Sequence, residues 1–299
     1  MSVVLRRGSG PWPTDNREIT VMGWLRQRLA PVEEAEREGA ARWLADHVSE
    51  RARGDRMASE FRWSESQLDR LAVLADRVAE GAPIQHVVGE VWFDGVTLSV
   101  NGDVLIPRPE TEELVAALAG RVAGLPQMHV VDWCTGSGCI ALALKKRIPR
   151  ASVEGRDVSV EALKVARHNG ERNGLQVAWE EDDLLNPSEP GTPADVVVSN
   201  PPYIPQSEQR AMHPRVTEHE PHLALFVPDN DPLCFFRALV SWCESGGLRS
   251  GGWLGMECHT AKTREVADLL KADQGWKNVE ILCDMQGLPR HVVGQRELP

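Results

Sequence analysis

From residue 128 onward the sequence repeats one pattern, a short apolar run followed by a helical stretch, and this narrows the fold more than any other feature. The apolar runs stand at 128–132, 151–156, 175–179, 194–199, 252–256 and 278–283, with helical patterns between most of them. Strand–helix alternation of this kind implies a mostly parallel sheet covered by helices on both faces. Arg290 to Gln295 then reads as an antiparallel closing strand, and the Pro- and Gly-rich stretch 186–193 as a surface loop. There are no internal repeats and no low-complexity segments.

Upstream the texture differs. Glu33 to Glu50 carries Ala35, Ala41, Leu44, Ala45 and Val48 among charges, a near-helical apolar spacing. Ser64 precedes Leu68, Leu71, Leu74, Ala75 and Val78, with Gln67 placed to complete a capping box. A small helical domain is therefore expected over residues 1–82, ending at Gly81-Ala82-Pro83. Next, Val87-Val88-Gly89 and Val91-Trp92-Phe93 face Val96, Leu98 and Val100 across Asp94-Gly95, which predicts a β-hairpin linker over 83–103. The α/β domain is expected over 104–299, opening with an amphipathic helix from Glu110 to Val122.

Composition removes several function classes. No apolar run approaches the roughly 18–20 residues of a membrane span, and the first 15 residues lack the apolar segment of a secretory signal. Six cysteines at 134, 139, 234, 243, 258 and 283 form no C-x-x-C pair, which points to reduced thiols in a cytoplasm and away from zinc. Net charge is −11; residues 1–80 hold 13 basic and 14 acidic groups, leaving 20 and 30 in the rest. A chain that tracks a phosphate backbone would carry the opposite sign, so long nucleic acid is not expected as a direct partner.

Four motifs carry chemistry. Asp132-Trp133-Cys134-Thr135-Gly136-Ser137-Gly138 forms a glycine turn between the strand at 128–132 and a helix starting near Cys139, where a ligand can approach the backbone. The next strand ends in Asp157, about 20 residues on, the place of a ribose-binding acid in nucleotide folds; Asp157 can equally cap the helix Val160 to Asn169. The third strand ends in Glu180-Glu181-Asp182-Asp183, a solvated run or a carboxylate for an adenine amine. The fourth, Asp195 to Ser199, runs into Asn200-Pro201-Pro202-Tyr203. An amide or aniline-like nitrogen is a poor nucleophile. A fixed Asn200 side-chain oxygen and the Pro201 carbonyl can accept its N–H bonds and hold its lone pair toward an electrophilic methyl. Two prolines stiffen that backbone, and Tyr203, the one tyrosine, can pack against a planar group.

Glycine turn, second-strand acid and Asn-Pro-Pro-Tyr together resemble class I S-adenosylmethionine-dependent methyltransferases that act on planar amino groups. Within that class, residues 20 to 297 are similar to the release-factor glutamine methyltransferases, the PrmC/HemK family. The resemblance rests on Pro83-Ile84-Gln85-His86-Val87-Val88-Gly89-Glu90, on Val104-Leu105-Ile106-Pro107-Arg108-Pro109-Glu110-Thr111-Glu112-Glu113-Leu114, and on Ser199-Asn200-Pro201-Pro202-Tyr203-Ile204-Pro205. It implies a Rossmann-like methyltransferase domain after a helical domain that grips the release factor. It implies S-adenosyl-L-methionine as cofactor, with Cys134, Thr135, Gly136, Ser137 and Gly138 around its methionine end and Asp157 on its ribose. Asp182 or Asp183 would lie by the adenine, Asn200 would touch cofactor and substrate, and Pro201, Pro202 and Tyr203 would complete a glutamine pocket. The implied reaction is methylation of the glutamine amide in the Gly-Gly-Gln motif of a peptide-chain release factor, in translation termination.

One position departs from the family, which has glycine where this chain has Cys134. The reading adopted is that the backbone there does not need a positive φ and the thiol merely narrows the pocket. His213, His219 and His222 lie close in sequence, but proline interrupts them and no metal site is expected. Competing readings are a ribosomal-protein glutamine methyltransferase, a DNA adenine amino-methyltransferase, which the charge disfavours, and a non-catalytic release-factor-binding protein. The Arg108-Pro109-Glu110-Thr111 run fits the release-factor branch best.

Overall fold

The computed structural model describes residues 10–57, 60–124 and 127–297. The chain divides into two compact units. One comprises residues up to Gly89 together with Pro214–His219, and the other comprises Glu90–His213 and the residues from Glu220 onward.

The first unit is helical: α1 (Glu18–Arg28), α2 (Glu34–Ser49), α3 (Arg53–Arg56), α4 (Glu65–Ala79) and α5 (Ile84–Val88). Its core gathers Leu25, Leu29, Leu44, Leu71 and Ala75, all fully buried. The capping box at α4 is present, with Gln67 N donating to Ser64 Oγ at 3.3 Å and Ser64 N to Gln67 Oε1 at 3.0 Å. Residues 84–88, expected in an extended hairpin arm, are instead helical. Pro83 occupies the N-cap position, Gly89 closes the turn at φ 82°, and Val87 and Val88 are buried in the helical core. Core packing here overrides the strand propensity of the valines. The boundary thus falls at Gly89, and the hairpin belongs to the second unit rather than forming a separate linker.

The second unit opens with β1 (Glu90–Phe93) and β2 (Val96–Ser99), antiparallel across Asp94-Gly95, then α6 (Pro109–Arg121). There follow β3 (His129–Trp133), α7 (Cys139–Arg147), β4 (Ser152–Asp157), α8 (Val160–Asn173), β5 (Ala178–Glu181), β6 (Ala194–Ser199) and the two-residue β7 (Ile204–Pro205). The chain then contributes α9 (Pro214–His219) to the helical unit and returns as β8 (Phe226–Val227), parallel to β7. It ends in α10 (Cys234–Trp242), β9 (Leu248–Glu257), α11 (Thr263–Lys271), β10 (Trp276–Cys283) and β11 (Pro289–Arg296).

Seven strands form one sheet in the order β10-β11-β9-β6-β3-β4-β5. Pairing is parallel from β9 to β5, and β11 runs antiparallel to both β9 and β10. The closing strand is therefore interior, with the earlier β10 outside it. Burial explains the order: His291 to Gly294 are all buried, whereas Lys277, Asn278 and Glu280 keep the edge strand wet and charged. The third strand begins at Ala178 rather than 175, because Gly174 ends α8 left-handed and Leu175 N turns back to the Gly170 carbonyl.

The pleat sorts side chains by parity. Val130, Val196 and Val198 face α6, α7 and the hairpin, while Val131, Trp133 and Val197 face α10 and α11. Both faces are covered, as continuous apolar strands require. The chain leaves β3 toward β4 and β5, then crosses back to β6 on the other side of β3. That reversal opens a crevice at the carboxyl ends of β3 and β6, where such sheets bind ligands.

Candidate functional site

A cleft lies at those carboxyl ends. Its wall takes Cys134, Thr135, Gly136 and Ser137 from the turn after β3, Asp157 from β4, Asp182 and Asp183 after β5, and Asn200 and Pro202 after β6. Apolar surface comes from Val104, Leu105, Ile140, Val158, Leu223 and Phe235. Four sequence motifs spaced over 70 residues thus converge because the strand ends they follow are adjacent. Gly138, Pro201 and Tyr203 do not line the cleft.

The turn is held from several sides. Asp132, fully buried, accepts from Thr135 Oγ1 at 2.5 Å and Ala141 N at 3.1 Å through Oδ2. Gly136 N donates to Asp157 Oδ2 at 2.9 Å, and Asn169 Nδ2 of α8 donates to the Ser137 carbonyl at 2.9 Å. The same Asn169 pairs with the backbone of Ser99, fastening the hairpin to the turn. Gly138 and Gly155 are required by close approach: a Cβ on either would stand 2.7 or 2.5 Å from the Trp179 indole. Cys134 has φ 57°. The expectation that this position avoids positive φ is therefore wrong, and a side chain there costs on the order of 1 kcal/mol. The thiol lines the cleft, and burial pushes its pKa well up, so it is an uncharged wall rather than a nucleophile.

Asp157 is not the helix cap. Ser159 is, its Oγ accepting from Ala162 N, while Asp157 Oδ1 takes Ser159 N at 2.9 Å. Both carboxylate oxygens are thereby fixed in direction. Asp182 is heavily engaged: Arg156 Nη1 (2.7 Å), Ser188 Oγ (2.6 Å) and Ser188 N (3.1 Å) all donate to it. The Asp183 carboxylate accepts only Leu185 N, at 3.0 Å on Oδ1, among the hydrogen bonds of the described residues.

Asn200 joins a buried chain that sequence reasoning missed. Its Nδ2 donates to Thr111 Oγ1 (3.3 Å), and Thr111 donates to Glu257 Oε2 (2.6 Å). Tyr203 donates to Glu257 Oε1 (3.3 Å), and its ring meets His259 edge-on at 6.3 Å. Glu257 ends β9, beside β6, and the only trace of it in sequence is an acid directly after a buried apolar run. Burial raises its pKa. His291, opposite it across the β9–β11 pair, is pushed down to about 4 by burial and so is neutral. At the rim, Glu220 is buried and accepts from Ile106 N (2.9 Å) and Arg108 Nη2 (2.6 Å), clamping the Ile-Pro-Arg-Pro segment. Among the described residues no cluster of three or more His, Cys, Asp or Glu is placed to hold a metal ion.

Asp132 makes a pH test of this frame. Burial raises its pKa from 3.8 to about 7, and its Oδ1 has no hydrogen-bond partner. Between these values the folded state holds a proton that the unfolded state has released, so stability falls as pH rises from about 4 and levels off above about 7. Asp132→Asn removes this dependence. In the cofactor-free protein, its melting temperature relative to wild type should climb by several degrees from pH 5 to pH 8, reflecting roughly 3 kcal/mol. A difference constant over that range would show that Asp132 does not titrate there.

Comparison with known proteins covers both units. Residues 20–89 match the PrmC N-terminal domain model and residues 110–223 the methyltransferase small domain model. The release factor glutamine methyltransferase of Flavobacterium psychrophilum is 38% identical over 219 residues, 72% of this chain and 76% of that protein. The enzyme of the same name from Streptomyces coelicolor is 37% identical over 231 residues, 76% of this chain and 80% of that one. Among solved structures, the release-factor-specific protein-(glutamine-N5) methyltransferase of Alicyclobacillus acidocaldarius aligns at 27% identity and a TM-score of 0.42, covering 67% of this chain and 99% of that one.

Proposed function

The chain belongs to the release factor glutamine methyltransferase family, and we propose that it transfers the methyl group of S-adenosylmethionine to the side-chain amide of the Gly-Gly-Gln glutamine in a peptide-chain release factor. The observation that carries this reading is Asn200, a carboxamide anchored at the carboxyl end of β6, in the same cleft as the glycine turn. The cleft fits the cofactor: an apolar channel for a purine, carboxylates after β4 and β5, and backbone approachable at Gly136, where a Cβ would meet nothing within 4 Å.

The cofactor supplies a methyl already activated on sulfonium sulfur, so the chain's task is aim. Asn200 Oδ1 accepts an N–H bond of the glutamine amide, while Pro201, which does not line the cleft, stiffens the backbone that presents Asn200. The amide nitrogen then presents its lone pair to the methyl, and the dipole of the Asn200 carboxamide favours the positive charge that develops on it. Pro202 walls the pocket. Tyr203, turned onto Glu257, anchors the tetrapeptide instead of stacking on the substrate. Asp157 holds the ribose diol, and Cys134 to Ser137 enclose the methionine end, with Gly138 keeping the turn in shape. Of the two acids after β5 we assign the adenine amine to Asp183, because Asp182 is committed to Arg156 and Ser188.

The helical unit, with its match to the PrmC N-terminal domain, is assigned to gripping the release factor. Six free thiols fit an enzyme of the cytoplasm that acts on translation termination. Among the described residues no helix is long and apolar enough to cross a membrane. The net charge of −11 argues against long nucleic acid as substrate.

Incubation with methyl-labelled S-adenosylmethionine and purified release factor, ribosomal protein or duplex DNA tests the reading. Label is expected in the release factor alone and lost when the Gly-Gly-Gln glutamine is replaced. Label in DNA or ribosomal protein instead would overturn it.

A further inference from the structure

Asn200 can serve an amide substrate only if its own carboxamide is turned the right way, oxygen toward the incoming N–H groups. The side chain alone does not decide this, since its two orientations have nearly the same shape. The surrounding hydrogen bonds do. Glu257, 2% exposed at the end of β9, has two oxygens, and each takes a hydroxyl: Thr111 Oγ1 at 2.6 Å and Tyr203 Oη at 3.3 Å. A hydroxyl has one proton to give. Thr111 has given its proton to Glu257, so toward Asn200, 3.3 Å away, it can only accept. Asn200 must therefore present Nδ2 to Thr111, and a flipped carboxamide would set oxygen against oxygen.

We infer that Glu257, acting through Thr111, is a positioning residue that fixes the orientation of the Asn200 carboxamide, and through Tyr203 secures the far end of the same tetrapeptide. The inference rests on the methyltransferase reading above but goes beyond it. It assigns function to two buried side chains 146 positions apart that need not touch the substrate. Thr111 lies in the first turn of α6 and Glu257 ends β9, so packing of that helix on the sheet, where Leu114 and Leu118 enclose Gly255, sets the reach of the chain. The neighbouring His291, neutral and 3.9 Å from Glu257, contributes no competing ion pair.

The test compares Thr111→Val, Thr111→Ser and Glu257→Gln in the full-length protein. It measures kcat and KM on release factor, S-adenosylmethionine affinity by calorimetry, and melting temperature. Thr111→Val keeps the shape and removes the hydroxyl. It is expected to lower kcat roughly 10- to 100-fold, the scale of a small misplacement of a reacting group, with KM and cofactor affinity nearly unchanged. Thr111→Ser, which restores the hydroxyl, should recover most of that loss. Glu257→Gln should lower kcat similarly, and combined with Thr111→Val should add little, because both break one chain. Equal kcat for Thr111→Val and wild type would overturn the inference, as would failure of Thr111→Ser to rescue a stably folded protein, or fully additive losses. A wild-type protein that binds the cofactor but methylates no release factor would instead overturn the reading on which it rests.

Discussion

Asn200→Ala is expected to lower kcat for release-factor methylation by about two orders of magnitude or more, the cost of removing one preorganised contact to a developing charge. Methyl transfer from a sulfonium is downhill, and no side chain of the tetrapeptide is a strong base. None is needed, because the amide nitrogen becomes acidic as it alkylates. Rate enhancement must then come from holding the nitrogen in line with the methyl–sulfur bond, the task we assign to the oxygen of Asn200. Cofactor affinity should change far less, since the turn from Cys134 to Ser137 and Asp157 are fastened independently of Asn200 by Asp132, Asn169 and the backbone of Gly136 and Ser159. Asn200→Asp is the sharper control. It keeps an oxygen for the substrate but presents a carboxylate, in place of an N–H, to a Thr111 oxygen that has no proton to give. Turnover near wild type for Asn200→Ala, measured with saturating cofactor, would show that this mechanism is wrong.

The parts of this site legible in the sequence were those encoded locally. A capping box needs only Ser64 and Gln67, and the parallel sheet needs only apolar runs at strand length. The four motifs could be brought together on paper because each directly follows a strand, and parallel strands place their carboxyl ends side by side. What escaped was long-range. Glu257 gains meaning only when β9 pairs with β6 and α6 packs across them. The preference for Asp183 over Asp182 depends on Arg156, whose guanidinium lies 5.1 and 5.5 Å from the rings of Trp133 and Trp242. Cys134 departs from expectation because the retained Gly136 and Gly138 do not relax its backbone: the hydrogen bonds of Asp132 and Asp157 close the turn tightly regardless. Residues 84–88 were misjudged because β-branched residues favour strands only where a sheet is there to receive them.

The helical unit hides another long-range feature, and it yields the second large effect. Arg56 is fully buried, an unusual fate for a guanidinium. Its Nε donates to Glu18 at 3.1 Å, and its Nη1 reaches Ser49 Oγ at 3.3 Å as well as Asp46 and the Arg51 carbonyl. Glu18, itself buried, also accepts from Trp63 Nε1 at 2.8 Å. This network ties α1, α2, α3 and the segment before α4 together. Arg56→Ala would leave the Glu18 carboxylate buried beside Trp63 alone, and breaking such a pair from one side costs about 3–5 kcal/mol. That is a large fraction of the stability of any unit this size. Scanning calorimetry of the full-length variant should show the helical unit melting separately and earlier, with S-adenosylmethionine affinity preserved because the cleft draws every wall residue from the other unit. Methylation of intact release factor should fall sharply through a higher KM. The double replacement Glu18→Gln with Arg56→Met, which removes both charges, should recover much of the stability. If the helical unit of Arg56→Ala is unfolded by amide exchange and release factor is still methylated with a wild-type KM, that unit does not grip the substrate.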